Sequence, residues 1–335
     1  MNNNINTDKI TKSEQKQIVK QFLFMQDIEN LIKYNIASTY WDKYVRYEQL
    51  SYLFVAGAGK GKSLIINSFY NQKYYSPLYF IQEDFTTMDI AGSIHNKVRE
   101  GFKIMGIPEM NRLETHSKNA VAQSHSCILN ITERKGLCQV KYGKEEVPVN
   151  PAIRLGIIGG ITPEVFDRHF REWFEMGLLN RFIVMTFTLS DKQENEIINY
   201  YNNLINSSIK DVNPIKLCYK KTSVKVDISE LKPLTNLAEV MNERLYNKYI
   251  NFLKVNHKKK KKDENSLLDN EDYNEVIKEI KDRQKPSIIR WQQKLIMLCV
   301  GKVISEYRKE IIKSDIDEII RLINKYTSLN FPEVD

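Results

Sequence analysis

The chain has 335 residues, 42% of them hydrophobic, which is enough to bury a sizeable core and sets an expectation of two domains. No apolar run reaches the length of a membrane span, and the polar start MNNNINTDKITKSEQKQ lacks the apolar centre of a signal peptide; a cytoplasmic protein without a membrane role is expected. Cys127, Cys138, Cys218 and Cys299 lie far apart and read as reduced thiols rather than zinc ligands, while a formal net charge of +8 suits a polyanionic partner, nucleic acid first.

In chain order, residues 1–48 read as a helical segment. Ser13 is a candidate cap for a helix with Ile18, Phe22, Met25, Ile28 and Ile32 on one face. Residues 49–192 alternate strand-like and helix-like stretches. The strand candidates are Tyr52–Val55, Leu78–Gln82, Lys103–Ile107, Leu155–Ile158 and Phe182–Phe187. Between them, Met88–Glu100 gathers Ile90, Ala91, Ile94 and Val98 on one side, and Pro163–Met176 gathers Phe166, Phe170, Trp173 and Phe174. This alternation predicts an α/β core whose five-stranded, mostly parallel sheet is flanked by helices. Within it, residues 136–150 alternate apolar and polar side chains around Tyr142-Gly143-Lys144, a hairpin signal. Residues 193–284 turn helical and polar, with a basic loop near 257–272 that reads as a flexible linker. Residues 285–335 form a helical module: Ile289–Ile304 is amphipathic, and Ser314-Asp315-Ile316-Asp317 reads as a capping box before Ile316, Ile319, Ile320 and Ile323.

The most telling stretch is Ala56-Gly57-Ala58-Gly59-Lys60-Gly61-Lys62-Ser63, followed by Leu64. It joins a strand to a helix, the context in which a glycine-rich turn cradles a polyphosphate with backbone N–H groups. Lys62 is then placed for β- and γ-phosphates and Ser63 for Mg²⁺, which makes ATP and Mg²⁺ the expected ligands. A carboxylate ending a strand is also needed to hold Mg²⁺ or orient water. Glu83-Asp84 and Glu109 are the candidates, each equally readable as an ordinary exposed acid. Thr162, before Pro163, is either a helix cap or a group that senses the γ-phosphate. Arg181, in Gly177-Leu178-Leu179-Asn180-Arg181-Phe182, reads as a salt-bridge partner or as a cation for a transferring phosphoryl group on an adjacent subunit. Arg290 and Arg283 are candidates for reaching the nucleotide from the helical module. Lys141 and Lys144, near the hairpin tip, are either solvated or contacts for a DNA backbone.

Taken in order, these pieces resemble the AAA+ P-loop ATPase family over residues 50–190 and, more loosely, 285–327. Within it they are most similar to MCM-type helicases and the related ATPases of phages, plasmids and mobile elements. AGAGKGKS is similar to the family's phosphate loop, 136–150 to its pore hairpin, Thr162-Pro163 to its sensor-1 pair, and LLNRF to its arginine-finger segment. RWQQKLIMLCVGKVISEYRKEIIKSDIDEIIRLI is similar to its helical lid, with Arg290 at the sensor-2 position. The resemblance implies a homo-oligomeric ring working with replication or mobile-element proteins, with Lys62, Glu109, Thr162 and Arg181 as its catalytic set. The acidic motif departs from the family pattern, because IPEM replaces an Asp-Glu pair and leaves Glu109 as the better match.

Two further functional classes stay open. A nucleotide-controlled switch that hydrolyses slowly and recruits protein partners fits the altered acidic motif. A P-loop kinase for a small molecule fits the phosphate loop but not the arginine segment or the lid.

Overall fold

The computed structural model describes residues 24–70, 73–86, 89–142, 145–205, 214–263 and 285–327. The Ser13 cap, Ile18 and Phe22 of the expected first helix lie outside them, as do Lys144 and Arg283. The described chain opens with helix α1 (Gln26–Ser38), which buries Ile28, Leu31, Ile32 and Ile36. Strand β1 (Tyr52–Val55) follows, then helix α2 (Lys62–Asn67), the two-residue strand β2 (Tyr74–Tyr75) and strand β3 (Tyr79–Ile81). A π-helical turn, Ile90–Ile94, runs into α3 (His95–Arg99) and leads to β4 (Ile104–Ile107). After a 3-10 segment, Met110–Thr115, comes α4 (Lys118–Ile131), with Ser117 accepting the Ala120 N–H as its cap.

The expected hairpin is present. Strand β5 (Leu137–Tyr142) pairs antiparallel with β6 (Glu145–Ile153). Strand β7 (Gly156–Ile161), helix α5 (Pro163–Glu175) and strand β8 (Ile183–Thr186) complete the core.

The central sheet has five strands in the order β3–β4–β7–β1–β8, and every neighbouring pair is parallel. Every residue of β1, β4 and β7 is buried, as expected of strands covered by helices on both faces. Such strands read as continuous apolar runs, which is how they stand in the sequence. The glycines of β7 serve close approach. A Cβ on Gly160 would sit 2.5 Å from the Pro108 carbonyl oxygen, so only glycine lets the end of β4 close against β7.

Beyond the core, α6 (Asp191–Ile205) leads to β9 (Ile215–Lys216), which pairs parallel with β2. Helix α7 (Lys232–Asp263) then includes Lys258–Lys262, so this part of the expected linker is helical, while residues 264–272 lie outside the described residues. Lysine is a good helix former, and a run of it need not interrupt a helix. Helices α8 (Lys285–Ser305) and α9 (Lys313–Tyr326) end the described chain. Helix α8 packs chiefly on α1 and α7, so the first described helix meets the C-terminal helices directly. The expected cap at Ser314 is corrected: the Asp315 carboxylate accepts the Ile312 N–H at 3.0 Å, one residue outside the helix. Among the described residues, no helix is long and apolar enough to cross a membrane.

Candidate functional site

Residues 56–63 connect the carboxyl end of central strand β1 to α2. In parallel sheets, this rim is where ligands bind. The turn depends on left-handed backbone at Gly59 (φ 73°) and Gly61 (φ 85°), which a side chain would strain. Lys62 is buried, and its Nζ donates to the carbonyl oxygens of Ala56 at 2.5 Å and Gly57 at 2.7 Å. Burial pulls the ammonium pKa below the ordinary lysine value, while Glu164 and Glu109 act in the opposite direction. Lys60 is held elsewhere, in an ion pair with Glu194 on α6.

The neighbouring strands bring further groups to the same rim. Ser63 Oγ donates to the Pro108 carbonyl oxygen at 3.4 Å, which ties the loop to the end of β4. Glu109 is the next residue and is exposed, with Arg112 Nε 3.4 Å from its Oε2. Thr162 follows β7 directly. It sits at the N-cap position of α5 with Pro163 behind it, but its side chain makes no capping bond. Its backbone N–H donates to Asn111 Oδ1 at 3.4 Å. Lys62, Ser63, Glu109 and Thr162 therefore lie at the ends of β1, β4 and β7, strands that are adjacent in the sheet. Asp84 stands at the end of outer strand β3, 2.8 Å from His116 Nε2, and Glu83 is paired with Arg112 at 2.9 Å.

Sequence reasoning missed Glu164, Asn111, Arg112 and Glu194. Glu164 was the most accessible of these, because it immediately follows Thr162-Pro163. Glu194 and Lys60 are 134 residues apart, and no local pattern announces their meeting.

Two of the expected nucleotide contacts do not join this rim. Arg181 precedes β8 and Glu48 precedes β1, so both stand at the amino ends of their strands. The length of β1, about 13 Å for four residues, separates them from the loop. There Arg181 is buried and ion-paired with Glu133 and, at 3.5 Å, with Glu48. Arg290 Nε is 3.1 Å from the same Glu48 carboxylate. Arg290 thus stands beside Arg181, at the amino ends of the strands. The Arg181 Nε is buried without a hydrogen-bond partner among the described residues. Lys294 completes the group. It is buried, donates to the Asn180 carbonyl oxygen at 2.6 Å, and has its pKa lowered to about 7 by burial, with Arg181 and Arg290 adding to the effect. In the hairpin, Lys141 pairs in register with Glu146.

No family model matches the chain, and no curated protein matches it. Among solved structures, it is similar to a full-length MCM homolog from Methanopyrus kandleri, with 11% identity and a TM-score of 0.46. The match covers 96% of this chain and 63% of that one, so the chain spans less than two thirds of that protein's length.

Proposed function

We propose that this chain is an AAA+ ATPase that binds Mg–ATP at residues 56–63 and couples its turnover to movement along, or remodelling of, DNA. The observation that carries the reading is the shared rim: a left-handed glycine turn with Lys62, Ser63, Glu109 and Thr162 gathered around it. The donor set fits a polyphosphate. The Lys62 ammonium rests on two neutral carbonyl oxygens, so an anion entering the turn meets a cation with no ion-pair partner to displace among the described residues. In this reading Ser63 and Glu109 hold Mg²⁺, whose role is to neutralise phosphate charge. Thr162, with its hydroxyl not used in capping, orients water or the γ-phosphate. Ala56, Gly57, Ala58, Gly59, Lys60, Gly61 and Leu64 shape the turn.

Arg181 and Arg290 serve a nucleotide held by a neighbouring copy in an oligomer, since both face away from their own loop. The hairpin, through Lys141 and Lys144, contacts the DNA backbone and gives salt-sensitive, sequence-tolerant binding. The second reading is a slow nucleotide-controlled switch that recruits protein partners. Three ion pairs favour it: Glu109 is beside Arg112, and Arg181 is held by both Glu48 and Glu133.

ATP turnover measured with and without single-stranded and duplex DNA separates the two. The motor reading expects clear stimulation by DNA and none of this turnover in Lys62→Ala. Tight ATP binding with negligible turnover under all conditions would favour the switch and reject the motor.

A further inference from the structure

Between α1, the β2–β9 pair and the end of α8 lies a cavity of about 440 Å³, a size usual for small-molecule sites. One wall is the stripe of α1 that carries Gln26, Asn30 and Lys33. Another is apolar. Ile215 and Leu217 line it together because alternate residues of an extended chain point to one side, and Tyr219 continues the same alternation. At the base, the Glu29 carboxylate is almost wholly buried. Lys33 pairs with it at 2.8 Å, Lys73 at 2.9 Å, and the Tyr74 hydroxyl donates to it. A buried ion network is often no more stabilising than apolar side chains of similar volume, so packing alone does not account for charges kept here.

The hydrogen-bonding groups around the cavity are unevenly spent. Both oxygens of Glu29 are engaged, Oε1 by Lys33 and Tyr74 and Oε2 by Lys73. Glu306, the other acid of the lining, has Oε1 on Lys302 and Oε2 on Arg308. The donors are less fully used. The Lys33 ammonium has three protons. Its contacts among the described residues are the Glu29 carboxylate and the Tyr74 ring, whose centre lies 4.7 Å from Nζ. Gln26 donates to Asn30 Oδ1 at 3.1 Å, so the Asn30 amide N–H groups have no acceptor among the described residues. The Tyr219 hydroxyl has none there either. Against these donors stand neutral acceptors only, the Gln26 carbonyl oxygen and the Ser305 hydroxyl.

We propose that this cavity binds a small aromatic anion, with Lys33 taking its negative group and Ile215, Leu217 and Tyr219 taking its ring. Lysine is a compact charge on a flexible stem, so Lys33 can turn from Glu29 to a ligand while Lys73 and Tyr74 stay on the carboxylate. A cationic ligand would meet two acids whose oxygens are already engaged. A purely polar one would leave the Ile215 and Leu217 wall unmatched. Lys62, Ser63, Glu109 and Thr162 do not line the cavity, and the inference does not depend on ATP turnover.

The test is a fluorescence titration of the full chain with anilinonaphthalene sulfonate, an aromatic anion, and with N-phenylnaphthylamine, which has the same rings without the sulfonate. The parent should bind the sulfonate saturably, one per chain, and about tenfold more tightly than the neutral probe, as one charge-assisted hydrogen bond provides. Lys33→Met should lose about that factor for the sulfonate and leave the neutral probe unchanged. Lys33→Arg, which keeps the charge, should retain sulfonate binding. Asn30→Trp fills the cavity from α1 without touching the Glu29 network, and should abolish binding of both probes. Urea midpoints check that each variant is folded, and Lys33→Gln carries the same expectation should Lys33→Met fail to fold. A folded Lys33→Met or Asn30→Trp that binds the sulfonate like the parent would overturn the proposal. So would a parent that binds the two probes equally or does not bind the sulfonate.

Discussion

Lys62 and Lys294 are both lysines taken out of water, and their surroundings differ in what they invite. Lys62 faces the open end of a glycine turn, with two carboxylates, Glu164 and Glu109, close enough to favour its charge. Lys294 is sealed beneath two arginines, with its Nζ 4.7 Å from the centre of the Trp291 ring, and burial dominates. The folded pKa of Lys294, about 7, lies below the ordinary lysine value. Between those two pH values the unfolded chain holds a proton that the folded chain has released, so stability should rise with pH across that window. Chemical denaturation at pH 7 and pH 9.5 should show this rise in the parent and a smaller one in Lys294→Met. An equal rise in both would show that Lys294 keeps its charge at neutral pH and above.

At this scale the sequence was legible wherever spacing is local. Lys62 and Ser63 follow from one turn, while Glu109 and Thr162 each follow from the end of an apolar run. The pairing of Arg290 with Glu48 was not legible, because the two lie in distant parts of the chain. The capping of α9 shows the same limit: the choice between Ser314 and Asp315 depends on which residue's N–H is left over, and that is a matter of geometry.

Among the elements, the five core strands were readable because double-sided burial writes them as unbroken apolar runs. The hairpin was readable from its alternation around Gly143. The pairing of β2 with β9 was not, since two-residue strands carry no periodic signal. The packing of α8 on α1 was hidden too, although Gly301 marks it. That glycine is buried in α8, and a Cβ there would overlap the Tyr34 carbonyl oxygen of α1. Its value is space rather than backbone freedom. Gly301→Ala should destabilise the fold by about 1–3 kcal/mol, as overpacking does, and lower the urea midpoint with little change in slope. An unchanged midpoint would mean that the two helices are not as closely apposed as described.

For the molecule as a whole, the sheet has two chemically different ends. The carboxyl end collects a glycine turn, a lysine, a hydroxyl and carboxylates. The amino end collects Arg181, Arg290 and Lys294, with Glu48 and Glu133 as the acids that face them among the described residues. Such polarity suits copies arranged head to tail, each offering cations to the next one's anion. All of it presupposes that the turn at Lys62 grips a triphosphate. Equilibrium titration of a fluorescent ATP analogue with Mg²⁺, run on the parent and on Lys62→Ala across protein concentrations, tests this most directly. Saturable binding by the parent that Lys62→Ala loses is the expected result. Absence of binding by the parent at every concentration, or equal binding by the two proteins, would contradict it.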